Sequence, residues 1–250
     1  MVKSDEVLQF WNTYLSSASI PDASLNGLQV QGPHEVEKIV FGVSACMELF
    51  ERARAAHADL ICVHHGLLWG QLEPITGLLG ERVKYLLTHQ MGLAAYHLPL
   101  DKHPAIGHNA CLLRPLHAQD IRPFGQYHGV EIGYQGHLSP RPLAQVVETL
   151  EAFCHSKAQV LAFGPDTVQS VGVVSGGAYS LLPQAVEQKL DVYVTGILDE
   201  PAYEWCREGH INCVALGHYA SEKCGVRALM DLTAQQFAVQ TEFIETPNPL

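Results

Sequence analysis

The chain has 250 residues, 47% of them hydrophobic and 16% charged, with a formal net charge of −11. This balance suits a compact α/β protein with a substantial core, either one large domain or two interleaved lobes, and excludes disorder. The negative charge excludes the basic surface that binding a DNA or RNA polymer requires, and no apolar run approaches the roughly 20 residues that span a bilayer.

The N-terminal "MVKSDEVLQFWNTYL" has charged and polar residues throughout, so it lacks a signal-peptide apolar core. "SDEVLQFWNTYL" reads as a helix with Ser4 as N-cap and Val7, Phe10, Trp11, Tyr14 and Leu15 on one face. "KIVFGV" is a strand, and a helix follows from about Glu48 to His57. "DLICV" is a second strand, which delivers the chain to His64 and His65. "ERVKYLLTHQ" is helical, and "GLAAYHL" is a third strand leading into "PLDKHP". Strands alternating with helices predict parallel β-α-β units.

The segment from about Arg114 to Pro142 is rich in Gly, Pro, His and Gln, with "YHGVEIGYQGHL" as a pair of extended segments. A boundary placed there gives a first lobe over 1–125 and a second over 126–250, with interleaving expected. Alternation then resumes with helix "RPLAQVVETLEAF", strand "SVGVVSG", helix "AYSLLPQAVEQK" and strand "DVYVTG". Helix "PAYEWCREG", strand "NCVALG", helix "HYASEKCGVRALMDLTAQ" and strand "VQTEFI" complete the chain.

The seven cysteines are odd in number and scattered, with no C-x-x-C pair, which predicts reduced thiols in a cytoplasmic protein. Three histidine-bearing clusters follow predicted strands: His64-His65, "YHLPLDKHP" with His97 and Asp101, and "LGHYASEKCG" with His218 and Glu222. In the last, i,i+4 spacing on a helix stacks both side chains on one face. Each cluster alone has an ordinary structural reading: neighbouring imidazoles, an Asx turn at Asp101, a solvated i,i+4 pair. Together they share one ligand chemistry and one topological position, beyond strand carboxyl ends, where parallel sheets gather ligand sites. Imidazole and carboxylate without thiolate suit Zn, Mn, Fe or Co. Three histidines or more with one Asp and one Glu exceed one tetrahedral zinc and suit two ions roughly 3.5–4 Å apart, which is hydrolase chemistry. Gly66 relaxes the backbone so that both histidines can turn into one site.

The motifs "LNGLQVQG", "ADLICVHHGLLW", "AAYHLPLDKHPAIGHNA", "SGGA", "DVYVTG", "GHYASEKCGVRAL" and "EFIETPNPL" occur in an order that resembles the dinuclear metal-centre proteins of the YbgI type. These are GTP cyclohydrolase 1 type 2 homologues, related to the NGG-interacting-factor family. The resemblance implies two similar α/β lobes facing each other across a dinuclear metal cleft. It implies two divalent ions held by His64, His65, Asp101, His218 and Glu222, with Glu222 bridging and His97 as a neighbouring catalytic group. It further implies a ring-shaped homohexamer and a small-molecule substrate such as a nucleotide. The expected activity is metal-dependent hydrolysis, with purine ring opening and formate release from GTP as its specific form. The alternatives are a metal-handling protein and a protein-binding scaffold. Lys102 and His103 are candidate phosphate contacts, and His97, or Asp199 if its loop comes near, is the candidate proton shuttle. One position departs from the pattern: many members carry an acid directly after the "TG" of "DVYVTG", where this chain has Ile197, with Asp199 and Glu200 following.

Overall fold

Long apolar runs such as Ile39–Val43 and Leu60–Val63 bury residues on both faces, the habit of interior parallel strands. The computed structural model, which describes residues 1–71 and 73–249, uses them that way. Two compact units share the chain in an interleaved manner.

The first unit comprises Met1–Leu100 and Val226–Pro247. Its sheet runs in the order Gln240–Phe243, Lys38–Ser44, Leu60–His65, Gly92–Ala95, Gly27–Val30. The first four strands are parallel, and the short last one pairs antiparallel. On helix Ser4–Tyr14, Trp11 packs edge-on against Phe41 and Tyr96 and donates its indole N–H to Thr233 at 2.9 Å. A second cluster gathers Leu49 and Phe50 of helix Met47–Ala55, Leu86 of helix Gly77–Thr88, and Val40, Ile61 and Leu93 of the sheet. Ser4 is the first helical residue, and the N-cap is Lys3, without a side-chain cap bond. The reason is pairing upstream: Val2–Lys3 is extended against Glu35–Val36, and the Ser4 amide donates to the His34 carbonyl.

The second unit comprises Asp101–Gly225 and the residues from Asn248. Its sheet order is Gln119–Tyr127, Val130–Pro142, Thr167–Val173, Val192–Thr195, Asn212–Ala215, Gln159–Ala162. The three strands from Thr167–Val173 to Asn212–Ala215 are parallel and flanked by antiparallel strands. The glycine-rich middle becomes a hairpin whose Tyr127 and Val130 pair across His128 and Gly129, both at positive φ, as a two-residue hairpin turn requires. The chain enters this unit at Asp101, upstream of the boundary placed near residue 125 from composition. Helix His108–Leu113 accounts for the difference, because Leu112, Leu113 and Leu116 are buried with Val146, Val171 and Val194 in the second unit's core.

The helix expected over "HYASEKCGVRALMDLTAQ" is two helices, His218–Ser221 and Lys223–Gln236. Glu222 caps the first, and its amide closes a tight bond to the Tyr219 carbonyl. All seven cysteines are free thiols. Burial pushes Cys62 up strongly, and Cys154 up to about 12, so neither is a ready nucleophile. Among the described residues no helix is long and apolar enough to cross a membrane.

Candidate metal centre

In the first unit, strand Leu60–His65 ends on its two histidines, and the carboxyl end of Gly92–Ala95 leads to His97. The three imidazoles converge. Ring centroids lie 4.6 Å apart for His64–His65, 5.0 Å for His64–His97 and 5.8 Å for His65–His97. One ring nitrogen from each lies within 4.8 Å of the others.

Hydrogen bonds decide which nitrogen each ring presents. The Tyr96 carbonyl can only accept, so buried His64 donates from Nδ1 (2.9 Å), and its Nε2 carries the lone pair. His97 likewise gives its Nδ1–H to the Asp22 carboxylate at 2.8 Å. His65 Nδ1 lies 3.1 Å from the Ser44 hydroxyl. An imidazole whose Nδ1–H is held by an oxygen acceptor is the usual arrangement of a metal-binding histidine. The cluster therefore fits a first-row divalent cation in both donor type and tautomer.

"LNGLQVQG" is the frame for this cluster. Asp22 Oδ2 accepts from the Leu98 amide and from Asn26 Nδ2, while Asn26 Oδ1 accepts from the His97 amide. Burial alone would raise the Asp22 carboxyl. The hydrogen bond and charge of His97, joined by Asn26 and Ser24, outweigh burial and bring it down to about 2. Gln29 Oε1 accepts from the Leu67 and Leu68 amides, and its Nε2 donates to the Leu25 carbonyl. Gly66 acts through space rather than backbone freedom. Its φ is not positive, and a Cβ there would sit 2.4 Å from the Gln29 amide and 2.6 Å from the Ala95 methyl.

In the second unit the donors also lie beyond strand carboxyl ends. His218 Nε2 and Glu222 Oε2 are 3.2 Å apart, although the helix breaks at Glu222. "SGGA" makes room for them: Gly176 has φ +66°, and a Cβ on it would meet Glu222 Oε1 at 2.1 Å and His218 Nε2 at 3.1 Å. Ser221 Oγ accepts from the Gly176 amide and donates to the His218 carbonyl.

Asp101, buried on the short helix Leu98–Lys102, accepts from the Ser175 hydroxyl at 3.1 Å. Asn109 holds the same corner, donating to the Asp101 and Ile132 carbonyls and accepting from the Ser175 amide. A nitrogen of His108 lies within 4.8 Å of an Asp101 carboxylate oxygen. Because the Gly225 amide donates to His108 Nδ1 (3.1 Å), the neutral ring carries its proton on Nε2. The Nδ1 side of His108 is thus engaged by the chain's own backbone.

The remaining candidates take structural roles. His103 Nδ1 accepts from the Ala105 and Ile106 amides, and Tyr134 donates to the Lys102 carbonyl. Asp199 caps helix Glu200–Gly209 through the Glu200 amide, and its bond to Tyr179 raises that phenol. Ile197 Cδ1 would stand 3.9 Å from a Cβ on Gly177, which puts an alkyl group beside the "SGGA" turn. Asp22, His108, Asn109 and Ser175 drew no attention in the sequence, although three of them lie inside or beside quoted motifs.

The family model for Duf34/NIF3 (NGG1p interacting factor 3) matches residues 2–249. A "GTP cyclohydrolase 1 type 2 homolog" of Pyrococcus abyssi is 40% identical, with all of both chains covered. One of the same description from Archaeoglobus fulgidus is 39% identical over 98% of each chain. Among solved structures, protein ybgI, described as of unknown function, superposes with a TM-score of 0.93 at 34% identity over the whole of both chains. TTHA1606 of Thermus thermophilus gives 0.93 at 32%, again over both whole chains.

Proposed function

This chain belongs to the Duf34/NIF3 family, and from that premise we propose that it is a dinuclear metal-binding hydrolase of small molecules. The carrying observation is the histidine cluster, in which buried His64 commits its Nδ1–H to the Tyr96 carbonyl and keeps Nε2 as the donor nitrogen. In this proposal His64, His65, Asp101, His218 and Glu222 would hold two divalent ions. Such ions supply a Lewis acid and lower the pKa of a coordinated water to near neutrality.

The chain's own residues then divide the work. Ser175 and Asn109 orient Asp101. Asp22 fixes the His97 tautomer, so Nε2 is the atom that takes a proton and returns it to a leaving group. Opening of a purine ring with formate release from GTP is the specific reaction that the relatives' description suggests. A ring-shaped hexamer working in the cytoplasm completes the proposal.

Metal analysis of protein purified without added metal tests the site. Two ions per wild-type chain and a marked loss in Asp101→Ala are expected, whereas no uptake under any loading condition refutes it. Formate assayed during incubation with GTP tests the reaction separately, and its absence removes GTP while leaving the hydrolase reading in place. Ile197 favours a second reading, a metal-handling protein, since an alkyl group beside "SGGA" cannot transfer a proton. Transfer of metal to an acceptor apo-protein, without turnover of a broad panel of esters, amides and nucleotides, would decide for it.

A further inference from the structure

We propose that Trp69 is a stacking platform for a planar heteroaromatic ring, which makes a flat ring part of what the histidine site selects. The proposal deepens the hydrolase reading and rests on it for the identity of the site.

The indole lies beside the cluster, 4.9 Å from the His97 ring at 73° and 6.1 Å from the His65 ring at 40°. It nevertheless remains 38% exposed, in contrast to Trp11 of the same unit, which is fully buried. Its orientation is already set. Nε1–H donates to the Gly66 carbonyl at 2.9 Å, so the ring offers π surface rather than a hydrogen-bond donor. The segment bearing it is pinned at several points: Trp69 bridges Ser24, the Leu25 amide donates to the Leu68 carbonyl, and Gln29 accepts from Leu67 and Leu68. Holding a large aromatic ring partly in water gives up the hydrophobic gain of burying it. A ligand ring that covers it recovers that gain and has little ordering entropy left to offset. Divalent ions at the adjacent histidines would repel a cationic partner, so a neutral or anionic ring is the better match than an ammonium or guanidinium group.

Fluorescence titration of the full-length, metal-loaded protein with guanosine, uridine, GTP and inorganic triphosphate tests this. Quenching is expected from the base-containing probes and not from triphosphate alone. By isothermal titration calorimetry, which does not need the indole as reporter, Trp69→Leu should weaken guanosine binding about tenfold with metal content unchanged, while Trp69→Phe stays within about threefold of wild type. Equal guanosine affinity in wild type and Trp69→Leu overturns the proposal, as does failure of every nucleoside to bind metal-replete wild type. A Trp69→Leu change in sedimenting mass, with nucleoside affinity unaltered, overturns it too and assigns the indole to a protein contact. Metal uptake measured beside the titration separates the two ideas: Trp69-dependent nucleoside binding by a chain that takes up no metal under any loading condition upholds stacking and refutes the metal site.

Discussion

Asp22 lies 75 residues before His97 in the chain, yet one carboxylate oxygen takes the imidazole Nδ1–H while the other takes the Leu98 amide. A carboxyl held at about 2 instead of its ordinary 3.8 contributes stability that is present above about pH 4. That contribution is lost as pH falls through the folded value. The difference corresponds to about 2 kcal/mol, and the side chain is only 2% exposed, so solvent screening takes little of it. Denaturant melts of wild type between pH 5 and 2 should show this acid limb, and Asp22→Asn should lack it. Identical acid limbs in the two proteins would mean that the Asp22–His97 bond contributes nothing to folding. If His97 Nε2 carries the proton in turnover, Asp22→Asn should also lower kcat more than it changes KM.

At the scale of elements, the break at Glu222 and the "SGGA" turn act as one device. A continuous helix would rely on i,i+4 stacking alone to join His218 and Glu222. Here the short helix His218–Ser221 ends at Glu222, Ser221 ties its carbonyl side to the Gly176 amide, and Gly176 lies where any side chain would collide with Glu222. Gly176→Ala should therefore expel the carboxylate and strain a left-handed backbone, at a cost of about 1–3 kcal/mol. Calorimetry should record that loss together with reduced metal uptake. Unchanged uptake would show that Glu222 is not a ligand.

For the whole molecule, ligands that bind only the folded chain raise its stability by mass action, about 4 kcal/mol at a thousandfold excess over Kd. Metal-replete protein should accordingly melt several degrees above the same protein treated with a chelator, and readdition of Zn, Mn, Fe or Co should restore the difference for the ions that fit. Coincident melting with and without chelator would refute resident metal.

Much of the architecture is readable from local pattern. Buried runs such as "KIVFGV" and "DLICV" admit one role, and glycine- and proline-rich stretches punctuate them, so strand and helix order follow from short-range periodicity. The candidate donors are readable for the same reason, since histidines and acids directly after strands fall at the sheet's carboxyl edge. What the sequence by itself determined is thus the α/β class, most of the order of strands and helices, and a set of candidate donor residues. Only the tertiary structure decided the tautomers of His64, His97 and His108, the spatial role of Gly66 and Gly176, the break at Glu222, and the passage into the second unit at Asp101. Each of these depends on a hydrogen bond or a close approach between residues tens of positions apart, and such contacts leave no periodic trace in the chain that makes them.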